Sequence, residues 1–98
     1  MIIRIVQMEF RPEALEQVRS RLVEQASKVR AFPGCLALAL HPDAENPNIF
    51  YSVSHWVDKE ALEAYRRSAL FREFWAELKA HFVQPARAFT LEPSFLAL

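Results

Sequence analysis

"IFYSVSHWVDKEALEAYRRSALFREFW" runs from Ile49 to Trp75 and changes its period twice. Up to Val57, β-branched and aromatic residues crowd together as they do in strands. From Asp58 the pattern turns helical. Asp58 is a capping residue, and Ala61, Leu62 and Tyr65 share one side of the helix it starts. Ser68 supplies a second cap, followed by a stripe of Phe71, Phe74, Trp75, Leu78 and Phe82. A strand thus leads into a helix broken at Ser68.

Working upstream, "HPDAENPN" (His41–Asn48) is turn chemistry with two prolines. Before it, Cys35–Leu40 is an apolar run of strand length. Pro33-Gly34 ends a helix near Phe32. That helix starts after Arg11: Pro12 suits its first turn, and Glu13 and Glu16 complement its positive end. Leu15, Val18, Leu22, Ala26 and Val29 lie on one of its faces. Ile2–Phe10 is a first strand. Downstream, Gln84-Pro85 stops the broken helix, Ala86–Leu91 forms a last strand, and residues 92–98 are an apolar tail. The order β-α-β-β-α-β predicts a single α+β domain over 1–98. Its simplest form is ferredoxin-like, a four-stranded antiparallel sheet with both helices on one face.

A sheet covered on one face alternates apolar and polar residues, and these strands do not. Ile3 and Ile5 oppose Ile2, Val6, Met8 and Phe10 in the first strand. Tyr51, Val53 and Val57 oppose Phe50 and Trp56 in the third. Helices dry only one face, so the other calls for a second copy packed sheet to sheet, a homodimer. The competing expectation is a monomer with greasy strands. The composition, 52% apolar in 98 residues, agrees with a partner-covered surface. A lone domain of this size buries only about 60–65% of its unfolded surface. The apolar tail is expected to reach across to the partner.

Net charge is zero and no basic stripe is present, which argues against nucleic acid. One cysteine excludes an internal disulfide framework. The first strand lacks the long apolar core of a signal peptide, and no segment approaches membrane-spanning length. The default expectation is a cytoplasmic protein that binds neither nucleic acid nor membrane.

"FPGCLALAL" after a long first helix, a Pro-rich hairpin loop and "SHWVDKEALEAYRRSALFREFW" together resemble the antibiotic biosynthesis monooxygenase domains of the dimeric α+β barrel group. The similarity extends from Ile3 to about Pro93, carried by the Pro-Gly-Cys-Leu turn, Trp56, the "EAL" helix start and the Ser68-x-x-Phe71 step. It implies a barrel closed by two subunits. Members include cofactor-free oxygenases of quinols and polycyclic phenols, and relatives that bind and degrade haem. Fold transfers more safely than chemistry. Many oxygenase-like members carry a histidine where this chain has Tyr65. Haem-degrading relatives need an axial histidine where this chain has Trp75, and an indole cannot ligate iron. Gln7 stands at the place of a site asparagine in those relatives.

Each candidate residue has a structural and a functional role open to it. Tyr65 points toward the sheet, and its phenol needs a partner that either the core or a ligand can supply. Trp75, Phe71 and Phe74 are core by their spacing and a pocket wall by their chemistry. Trp56 reads first as a packing plug at the end of the third strand. Gln7 is an amide in an apolar strand; buried without a partner it costs about 1–3 kcal/mol, so a ligand or water is expected on it. Cys35, Ala37 and Ala39 alternate with Leu36, Leu38 and Leu40. A cavity floored by Ala37 and Ala39, walled by Tyr65 and Trp75 and holding Gln7, suits a planar ring. The Glu73, Glu77 and His81 stripe faces solvent, so no metal is expected, and no cofactor. The leading expectation is a cofactor-independent monooxygenase of quinols or polycyclic phenols. Gln7 or Tyr65 would orient the substrate oxygen, and His55 would be the base. The alternative is a dimer that binds small aromatics without turnover, or is purely structural; haem degradation ranks third.

Overall fold

The computed structural model describes all 98 residues. Strand β1 (Ile2–Glu9) leads through a single 3-10 turn at Pro12–Ala14 into helix α1 (Leu15–Arg30). Pro12 opens that turn, where its missing N–H costs nothing. Strands β2 (Cys35–Pro42) and β3 (Ile49–Trp56) form a hairpin across the Pro-rich loop. Helices α2 (Lys59–Arg66) and α3 (Ala69–Lys79) follow, and β4 (Arg87–Leu91) closes the chain's regular structure. The sheet order is β2-β3-β1-β4, antiparallel throughout. The α+β, ferredoxin-like expectation is therefore correct.

Both expected caps form. The Asp58 side chain accepts from the Ala61 N–H at 2.8 Å, and Ser68 Oγ accepts from the Phe71 N–H at 3.1 Å. Each satisfies an amide that the helix itself leaves free, and a cap of this kind stabilises by about 1 kcal/mol. The Ser68 cap lets α3 start at a new angle straight after α2. Helix α1 stops at Arg30, two residues before Phe32. Gly34 then turns the chain at φ +88°, and a Cβ there would lie 2.5 Å from Ala61 Cβ. Glycine is needed on both counts.

Register settles which residues face the helices. Ile2 pairs with Trp56 and Met8 with Phe50, and these residues pack with Leu62 of α2 and with Val18 and Leu22 of α1. Even-numbered β1 residues therefore point to the helices and odd-numbered ones away. On β2 a bulge changes the row. Cys35 pairs with Trp56, but Ala37 pairs with His55, with Leu36 the extra residue between. Cys35 consequently faces the helices while Ala37 and Ala39 face the other way. The simple alternation of Cys35 with both alanines fails here, because a bulge inserts one residue and reverses the facing of every residue beyond it.

Candidate functional site

A cavity of about 310 Å³ lies between the helix face of the sheet and the helices. That is the low end of the volumes that hold small organic ligands. Its existence follows from side-chain size. The inward row of β3 carries Ser52 and Ser54, β4 presents Ala88, and α1 presents Ala26, so the floor and one wall are low. Larger rings stand around them: Tyr65 from α2, then Phe71, Phe74 and Trp75 from α3.

These rings are core and wall at once. Trp56 is fully buried and donates from Nε1 to Ser54 Oγ at 2.9 Å. Tyr65 stacks on Trp56 with centroids 4.9 Å apart and 25° between planes. Phe71 meets Tyr65 edge-on at 5.2 Å and stacks on Trp75 at 5.5 Å and 15°. Such contacts stabilise by about 0.5–1.5 kcal/mol each beyond area burial, so they hold the wall rigid. Each ring thus packs against its neighbours, and Tyr65, Phe71 and Trp75 also border the cavity.

The polar groups set the cavity's chemistry. Burial first, and the neighbouring Cys35 second, push the Tyr65 phenol up to about 12. At neutral pH it is a hydrogen-bond donor and not a base. Arg4 and Arg66 also line the cavity. Arg4 Nη1 donates to Thr90 Oγ1 at 2.6 Å, and Arg66 Nη1 to Glu63 Oε1 at 2.9 Å. Burial holds the Arg4 guanidinium below its usual range, the charge of Arg66 adds to this, and Glu63 opposes both. No group of His, Cys, Asp and Glu side chains is arranged to hold a metal ion.

Of the residues singled out from sequence, Tyr65, Phe71, Phe74 and Trp75 come together around the cavity. Trp56 stands behind Tyr65 as the plug of its corner. Gln7, His55, Ala37 and Ala39 are on the opposite face of the sheet, so the cavity built on a floor of alanines with Gln7 inside is corrected. Gln7 is odd-numbered on β1, in the row of Ile3 and Ile5, and it pairs with Tyr51. Its Nε2 donates to Tyr51 Oη at 3.0 Å, and Tyr51 Oη donates to Asp43 Oδ1 at 2.9 Å. The chain itself thus supplies an acceptor for the amide NH2. Arg4, Arg66, Ser52 and Ser54 were overlooked. Parity held the signal for three of them: Arg4 is the one charge in the row Ile2, Arg4, Val6, Met8, Phe10, and the serines interrupt the row Phe50 to Trp56.

A family profile described as "Antibiotic biosynthesis monooxygenase" matches residues 1–77. Among solved structures, one described as an antibiotic biosynthesis monooxygenase is 28% identical, with TM-score 0.90 over 96% of this chain and 99% of that one. A Pseudomonas aeruginosa protein is 26% identical, with TM-score 0.83 over 95% of this chain and 93% of that one. A Mycobacterium tuberculosis protein shares the fold at 22% identity, with TM-score 0.88 over 99% and 98% of the two chains. No curated protein matches the chain.

Proposed function

Since the chain belongs to the antibiotic biosynthesis monooxygenase family, we propose that it oxygenates a flat, electron-rich phenol or quinol with dioxygen and no cofactor. The observation that supports this is the ring-walled cavity, with its tyrosine hydroxyl, two serines and two guanidiniums among apolar side chains. A phenol balances such a reaction alone. One oxygen atom enters the ring as a carbonyl and the other leaves as water, which carries off the phenolic proton and the displaced ring hydrogen. All four electrons come from the substrate. Apolar walls exclude bulk water, Phe71 and Trp75 hold the ring flat, and Tyr65 donates a hydrogen bond to the substrate oxygen. Donors fixed in advance in a dry site stabilise developing charge with little reorganisation.

The sheet face away from the helices is the proposed dimer surface, where a second copy closes an α+β barrel. Gln7, His55, Ala37 and Ala39 then belong to the interface, near the exposed Phe89 and Leu91. The apolar tail, with Phe95, Leu96 and Leu98 all exposed, continues from the same strand. No helix is long and apolar enough to cross a membrane.

A second role, binding without turnover, is favoured by one observation. The residues lining the cavity include no carboxylate or imidazole to accept a proton. The test is incubation with a panel of naphthols, anthrones and hydroquinones, with and without dioxygen labelled with heavy oxygen, followed by mass spectrometry. An enzyme gives products that gain one labelled atom only in the aerobic arm and above the rate of spontaneous oxidation. Saturable binding without labelled product selects the second role.

A further inference from the structure

A guanidinium carries five N–H donors and calls for acceptors to match them. Arg4 projects from the helix-facing row of β1 between Ile2 and Val6. Its partner within the chain is the neutral hydroxyl of Thr90, at 2.6 Å. Arg66, exposed at the end of α2, lines the same cavity. It shares the carboxylate of Glu63 at 2.9 Å. Two guanidiniums thus stand against one carboxylate, leaving an excess of one positive charge at this end of the cavity. Both cations line the one cavity, and burial first and the charge of Arg66 second hold the Arg4 guanidinium below its usual range, with Glu63 opposing. Like charges held near one another favour a further anion beside them.

We propose that the cavity takes a planar aromatic bearing a single anionic oxygen group, a phenolate or a carboxylate, which Arg4 and Arg66 hold while the ring lies against Phe71 and Trp75. Guanidinium groups are well suited to this, because their donor fork matches a charged oxygen group and keeps its charge at any working pH. The proposal rests on the cavity being a ligand site, and it deepens the oxygenase role in one respect. A substrate that arrives ionised, or whose ionisation is favoured by two cations, needs no protein base. That accounts for a lining without carboxylate or imidazole.

The test compares 2-naphthoate with 2-naphthamide by titration calorimetry at neutral pH and low salt, since the two share a shape and differ in charge. The carboxylate is expected to bind about tenfold or more tighter, as befits a charge-assisted hydrogen bond. Arg4→Gln and Arg66→Gln each shrink that preference, and Arg4→Lys keeps part of it. Arg72→Gln, exposed on α3 and outside the cavity lining, leaves it unchanged. Arg66→Gln alters an exposed side chain, so its result stands even where Arg4→Gln weakens folding. In a parallel arm 4-nitrophenol, whose absorbance reports its ionisation, is expected to ionise at lower pH when bound. Equal binding of acid and amide, or a preference that survives both glutamine variants, overturns the proposal and leaves the ligand site standing. Failure of both naphthalenes to bind at millimolar concentration overturns the two together.

Discussion

The two faces of the sheet carry the same kinds of residue and treat them differently. Toward the helices, Ile2, Met8, Phe10, Phe50 and Trp56 are buried within one subunit. On the other face Ile3, Ile5 and Val53 are half-buried by their neighbours alone, while Phe89 and Leu91 remain 46% and 45% exposed. The polar residues differ more. On the helix face Arg4, Ser52 and Tyr65 border a cavity with hydrogen-bonding capacity left over. On the open face Gln7, Tyr51 and Asp43 already bond to one another in a chain, and Asp43 Oδ2 also accepts from the Glu45 and Asn46 N–H groups. A surface about to be covered by protein must satisfy its polar groups beforehand, because each one left unpaired weakens the contact. A ligand cavity leaves that capacity to its occupant. Spare donors and acceptors at the cavity, against the paired Gln7–Tyr51–Asp43 chain on the open face, thus distinguish the proposed ligand site from the proposed interface.

The largest effect that can test this division is in the core. Trp56→Ala removes the plug on which Tyr65 stacks, and it leaves Ser54 Oγ without its indole donor. It is expected to cost about 3–5 kcal/mol in urea unfolding at fixed protein concentration. A loss below about 1 kcal/mol would mean that the aromatic wall is not structural. Next comes Ile5→Glu on the open face, whose partners across the sheet are Val53 and Phe89. The subunit keeps its helix-face core, so the circular dichroism spectrum is expected to hold. The dimer dissociation constant is expected to rise about a hundredfold or more, read by sedimentation. Unchanged sedimentation would overturn the proposed dimer surface.

What the sequence disclosed divides along the same line. Element order, the caps at Asp58 and Ser68 and the turn at Gly34 were legible, because each depends on residues only a few positions apart. So was the greasiness of both faces. The ring cluster was legible because helical spacing puts Tyr65, Phe71, Phe74 and Trp75 on inward stripes whatever the sheet does. The side on which a strand residue lies is another matter. It depends on register, and one extra residue at Leu36 sends Ala37 and Ala39 to the far face. Gln7 announced a need for a partner but not which face held it; Tyr51, forty-four positions along, answers that need. Arg4 is legible by parity along β1, as the one charge in the inward row of Ile2, Val6 and Met8.

The smallest effect concerns the polar chain of the open face. The N–H groups of Asn46 and Glu45, and then the Tyr51 hydroxyl, hold the Asp43 carboxyl below the usual carboxylate range. The folded state therefore favours the ionised form. The resulting stability is present above the unfolded carboxylate value of about 3.9 and is lost as pH falls through the lower folded value. Asp43→Asn keeps a side-chain oxygen for the turn and removes the charge. Its melting temperature is expected to lie below that of the native chain by a constant margin from pH 7 to about pH 5, and the margin should close below about pH 4. Tyr51→Phe removes one of the donors to Asp43, so it is expected to shift the closing of that margin to higher pH. It also strips Gln7 Nε2 of its acceptor. Thermal unfolding of the three proteins between about pH 3 and pH 7 decides the matter. A margin that persists undiminished to about pH 3 would show that Asp43 acts through turn geometry alone, with no part for its charge in keeping the open face satisfied.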